Sequence, residues 1–76
     1  MSRWTPCKRR DFVRSLRALG FDGPFSGTRH AFMVYGRHRL AIPSQQEYSL
    51  PQLRVMIGEV EAILGRKIPA EQWSAL

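Results

Sequence analysis

Cysteine is nearly missing from this sequence. Cys7 stands alone among 76 residues, which excludes a disulfide framework and any cysteine cluster for structural zinc. Long apolar runs are missing too, and the opening MSRWTPCKRR has no apolar stretch to serve as a signal peptide. A soluble, cytoplasmic protein with no membrane partner is expected. Acidic residues are scarce where basic ones abound: residues 1–39 hold nine Lys and Arg but only Asp11 and Asp22, while residues 40–76 hold three basic and four acidic side chains. With so few carboxylates, the basic half is poorly equipped to hold Mg²⁺ against a phosphate. No repeat, low-complexity tract or linker divides the chain, so 1–76 reads as one domain. At this length only about 60% of the unfolded surface is buried. That leaves a thin core, no deep cleft, and a bias toward a macromolecular partner at the surface.

What is present is positive charge. The chain carries +6 overall with a pI near 10.8, and the first 39 residues alone carry +7. Ten of the twelve cations are arginine, whose planar fork pairs with phosphate oxygens bidentately and can stack on bases. The excess marks a candidate for polyanion binding.

Local signals predict the elements. Thr5 as N-cap and Pro6 at the first helical position predict a helix to about Leu19, with Phe12, Val13, Leu16 and Leu19 facing a core and Arg10, Arg14 and Arg17 facing outward. Gly20 followed by Phe21 predicts a Schellman ending. A short strand is expected at about Pro24–Ser26. Two further strands, HAFMVY and RLAIP, flank Gly36-Arg37-His38. An odd-numbered loop would gather Phe32, Val34, Leu40 and Ile42 on the core face, leaving Met33, Tyr35 and Arg39 outside and His38 in the loop. Tyr35 and Met33 would then be open to stacking on bases. Ser49 as N-cap with Gln52 at N3 predicts a second helix ending at Gly65, with Leu53, Met56, Ile57, Val60, Ile63 and Leu64 buried and Tyr48 stapled to Leu53. Trp73, in a short C-terminal turn, is expected to cover one end of the core. Both helices must share the one apolar face of the sheet. The expectation is an α+β fold of order α-β-β-β-α, a three-stranded antiparallel sheet with both helices on one side.

At this point the residues carry a resemblance. A basic helix ending in LRALGF, then SGTRHAFMVYG, then a strand ending in RLAIP and a second helix resemble the HicA family of toxins over roughly residues 8–64, leaving 65–76 as a C-terminal extension. Gly27, Thr28, Arg29 and His30 match the family's Gly, Ser or Thr, any residue, His pattern position by position. Many members carry two adjacent histidines where this chain has Arg29-His30. The resemblance implies a fold like that of double-stranded-RNA-binding domains, an mRNA interferase activity without cofactor or metal, and a HicB-like antitoxin as protein partner.

The chemistry fits the residues. RNA is cut when its 2′-OH attacks the adjacent phosphorus, and imidazole, with an unperturbed pKa of about 6.5, can move protons both ways near neutrality. His30 is the expected acid–base residue. Arg29 would stabilise phosphate charge, Gly27 would admit the backbone close to a sugar-phosphate strand, and Thr28 would offer a hydroxyl. Lys8, Arg9, Arg10, Arg37 and Arg39 complete the expected RNA-binding set. On residues alone, a single histidine at the start of a strand is more often structural; the resemblance favours catalysis. Two other readings use the same residues: a non-catalytic RNA-binding module, and a basic structural partner of an acidic protein.

Overall fold

The computed structural model describes residues 3–76. Its first element is not the helix that Thr5-Pro6 predicts. Cys7–Lys8 is a short strand, β1, paired antiparallel with β5, Glu47–Tyr48, so that Cys7 faces Tyr48 and Lys8 faces Glu47. Helix α1 therefore begins only at Arg9 and spans Arg9–Ala18, with Lys8 as an extended N-cap that makes no side-chain capping bond. Backbone pairing with a distant strand satisfies the groups that a local cap would have served, and tertiary structure overrides the local signal. The other end follows expectation: the Gly20 N–H reaches the Arg17 carbonyl and the Phe21 N–H reaches the Leu16 carbonyl, both at 3.0 Å, in the double bond of a Schellman motif.

Three strands follow, β2 at Asp22–Phe25, β3 at Ala31–Tyr35 and β4 at His38–Ile42, hydrogen-bonded in that order as an antiparallel sheet. β2 starts two residues before the expected Pro24, and its pairing with β3 slips between Asp22 and Phe25.

The β3–β4 register corrects the expected one. Tyr35 pairs with His38, which leaves Gly36 and Arg37 as a two-residue loop and makes His38 a strand residue. Gly36 has φ +61° and no other residue type takes positive φ, the pattern of a type II′ turn with glycine first. Met33 then stands opposite Leu40, and both are buried, at 0% and 2% exposure. Phe32 and Val34 face the other way, beside Ala41 and Arg39. Tyr35 sits at the rim of the core side, its ring 5.1 Å from that of Phe21. Neither Met33 nor Tyr35 is therefore an outer-face base platform.

Helix α2 spans Leu50–Leu64 as its signals predict: Ser49 Oγ accepts the Gln52 N–H, and Gly65 closes the helix in the left-handed region. The Gln52 side chain, however, donates to Gln45 Oε1 at 2.7 Å instead of completing a capping box. Ile63 and Leu64 are only partly buried, packed against the core's edge. A short helix, α3, spans Ala70–Ser74 and brings Trp73 to within 5.4 Å of the Phe12 ring and 6.3 Å of Trp4. Phe12 and Leu16 of α1, Met33, Leu40 and Ile42 of the sheet, and Leu53, Met56, Ile57 and Val60 of α2 form one core that Trp73 closes at an end. Both helices thus contribute to the same core as the inward residues of the sheet. Among the described residues no helix is long and apolar enough to cross a membrane.

The observed register has a direct test. Met33→Ala should destabilise the protein by about 2–5 kcal/mol, as truncation of a buried side chain does, whereas Val34→Thr should stay within about 1 kcal/mol. Urea unfolding of the two variants checks this. The odd-loop register would reverse the order.

Candidate nucleic-acid interface

The segment Ser26–His30 connects β2 to β3 and is exposed throughout. Its shape depends on Gly27. A Cβ there would collide with the His30 carbonyl oxygen, so the chain folds back on itself only where glycine stands. It also leans on the sheet, since the same Cβ would lie 3.4 Å from Cδ1 of Phe32. Thr28, Arg29 and His30 are thereby presented to solvent immediately before β3. Among the described residues the His30 side chain has no hydrogen-bond or ion-pair partner, which leaves both ring nitrogens open to a ligand.

The start of α1 reaches the same end of the sheet. Ala31, next to His30, pairs with Ile42, and Ile42 runs directly into Pro43. The Pro43 carbonyl accepts Arg9 Nε at 3.2 Å and the Tyr48 hydroxyl at 2.7 Å, while the Arg9 N–H donates to the Gln46 carbonyl at 2.9 Å. These bonds hold the 43–48 segment against α1. Arg9 is accordingly half committed to structure. Lys8 and Arg10 are exposed beside it, and the three cations line a cleft with Gln46 and Glu47. Cations at a helix N-terminus oppose the macrodipole, and the one acid in the first turn, Asp11, is occupied by Arg14 at 3.0 Å. Glu47, facing Lys8 across the β1–β5 pair, is the acid that lines this cleft, so its three cations outnumber it.

The remaining expected residues separate. Arg39 lies on the outer face of the sheet with its guanidinium carbon 4.7 Å from the centre of the Phe32 ring. Arg37 is in the hairpin turn, at the far end of the five-residue β3 from His30, about 20 Å away at a rise of roughly 3.4 Å per residue. His38 is at that far end as well, opposite Tyr35, so it cannot join His30 in proton transfer. Arg17, on the outward stripe of α1, spends Nε on the Gly23 carbonyl at 2.8 Å. No group of three His, Cys, Asp or Glu able to hold a metal occurs among the described residues.

The residues that sequence reasoning missed are Phe25 and Phe32. They are partners across β2 and β3, their rings 5.7 Å apart, and Phe25 is 46% exposed. The type II′ signature Gly36-Arg37 would have revealed them, because a two-residue loop turns Phe32 outward.

Burial shapes two titrations near this end. It pushes the Tyr48 phenol above its ordinary value of 10.0, with Arg9 partly opposing, and pushes the Cys7 thiol above 9.0, with Asp11 adding to the effect. A group raised in the folded state contributes stability that is full below the unfolded value and is lost as pH rises through the folded one. Stability should therefore begin to fall above pH of about 9 through the Cys7 thiol and fall further above about 10 through the Tyr48 phenol. Tyr48→Phe should remove that part of the loss while costing about 1 kcal/mol for the bond to Pro43; denaturant titrations of both proteins from neutral to alkaline pH check it.

No family model, curated protein or solved structure matches the chain.

Proposed function

We propose that the protein is a HicA-like ribonuclease that cleaves mRNA by acid–base catalysis at His30. The observation that carries this reading is the presentation of His30, exposed and unpartnered among the described residues, at the sheet end to which Pro43 ties Arg9. The fold would then be of the double-stranded-RNA-binding type, elaborated by the β1–β5 pair. His30 takes the 2′-OH proton, the 2′-oxygen bonds to phosphorus, and the P–O5′ bond breaks. The 5′-oxygen leaves with a proton returned by the imidazolium or by water, giving a 2′,3′-cyclic phosphate and a 5′-OH. Arg29, next in sequence, stabilises the charge on the non-bridging oxygens, while Lys8, Arg10 and Arg39 hold backbone phosphates. Arg37 can engage only a more distant part of the strand. An acidic antitoxin of the HicB kind would be steered to the +7 half by long-range attraction and would silence the enzyme by covering the His30 loop.

Substitution of His30 by Ala should abolish RNA cleavage and growth inhibition while the circular dichroism spectrum stays that of the wild type, because the side chain lies outside the core. Positioned acid–base catalysis is typically worth about 10²–10⁴-fold, so the loss should be of that order. Cleavage should persist in excess EDTA. Wild-type activity in the variant would refute the assignment of His30, and salt-sensitive RNA binding without cleavage in the wild type would make the protein an RNA-binding module.

Binding should weaken steeply with salt, log K falling against log [salt] with a slope of about −0.7Z for single strands, and Z of roughly 3–5. Removing Arg29 or Arg39 should each lower the slope by about one contact. Arg66, hydrogen-bonded to Gln72 beyond α2, and Lys67 should hardly change it. A flat salt dependence would instead indicate a basic structural protein with a protein partner.

A further inference from the structure

We propose that the outer face of the sheet is a base-stacking platform: Phe25, Phe32 and Arg39, one residue from each strand, receive an unpaired base of a single-stranded RNA and set the adjoining phosphate beside His30. The inference rests on the RNA reading above and adds to it a subsite and a preference for unpaired nucleotides.

Three observations carry it. First, the register places Phe25 opposite Phe32, and Arg39, opposite Val34 on the same outer face, reaches diagonally over the Phe32 ring at 4.7 Å. Both helices pack into the core formed by the opposite face, and Phe25 is 46% exposed. Second, the platform adjoins the His30 loop. Phe25 ends β2, the loop spans the next five residues, and Gly27 rests against the edge of the Phe32 ring. A nucleotide on the rings is therefore next to the histidine. Third, the face is cationic as well as aromatic. Arg39 on that face and the exposed Arg29 on the loop suit a polyanion whose bases have open π-faces, whereas an acidic protein surface would satisfy the arginines but leave the ring of Phe25 without a stacking partner. A duplex, its bases already stacked inside, would gain nothing from the rings.

The test separates stacking from charge and binding from cleavage. A short single-stranded RNA with 2′-O-methyl groups throughout, which lacks the attacking hydroxyl, is titrated with wild type, Phe25→Ala, Phe25→Trp and Phe32→Leu. Loss of one base-stacking contact corresponds to about 5- to 150-fold in affinity. Phe25→Ala should weaken binding within that range and leave the salt slope unchanged, since no phosphate contact is lost, and Phe25→Trp should restore it. Phe32→Leu keeps apolar bulk for folding and should also weaken binding. An A-form duplex should bind all four proteins alike. If Phe25→Ala and Phe32→Leu bind the single strand as tightly as wild type, the platform is overturned while the ribonuclease reading stands. If wild type binds no RNA at all, both fall. If the substitutions spare RNA but weaken capture of a co-expressed acidic protein, the face is a protein interface and the platform is equally overturned.

Discussion

A two-residue turn allows only one pairing of the strands it joins. With Gly36 in the left-handed region and Arg37 beside it, Tyr35 must meet His38 and every later pair follows in step. Because side chains alternate with period two, that single turn decides which residues of β3 are inside. Met33 joins Leu40 and Ile42 in the core, and Phe32 and Val34 are turned out. A one-residue slip would place the Met33 side chain in water and drive both Phe32 and Val34 inward. The core, the outer face and the setting of Arg39 all depend on this constraint.

A second constraint brings distant charge to the same place. The carbonyl of Pro43 accepts from both Arg9 and Tyr48, and Pro43 directly follows the residue that pairs with Ala31. The start of α1 is thus held at the end of the sheet where the His30 loop emerges. Tyr48 is fully enclosed and meets the Phe12 ring edge-on at 5.6 Å, so the polar contact is anchored in the apolar core. Burial and hydrogen bonding cooperate here: a buried phenol requires a partner for its hydroxyl, and that partner also fixes Arg9.

The proposed chemistry uses this end of the molecule and little else. His38 and Arg37 stand at the opposite end of the hairpin, Arg17 is engaged with Gly23, and Arg14 with Asp11. A single exposed imidazole next to an arginine is a small catalytic apparatus, and a chain with one thin core has little volume in which to build a larger one. Under this reading, binding of a charged, flexible strand supplies the positioning that an enclosed cleft supplies in larger enzymes. Gly27 is the local condition for it, because a side chain there would displace the His30 backbone.

Much of this was legible in the sequence because it depends on neighbours along the chain. The Schellman ending at Gly20, the Ser49 cap, the Gly65 stop and the buried stripe of α2 from Leu53 to Val60 each follow from a few adjacent residues and were realised as expected. So was the place of Gly27 to His30 immediately before a strand. Tertiary structure decided the rest. All five residues of β3 are apolar, so alternation could not choose its inner face, and the turn geometry did. Thr5-Pro6 had the chemistry of a helix start, but residues 7–8 gained more by pairing with a strand forty residues away in sequence. The hold of Pro43 on Arg9 at the end of the sheet, and the outer-face cluster of Phe25, Phe32 and Arg39, join residues from separate elements. No local pattern encodes such a cluster, since it exists only once strand pairing has set the register and the helices have covered the other face.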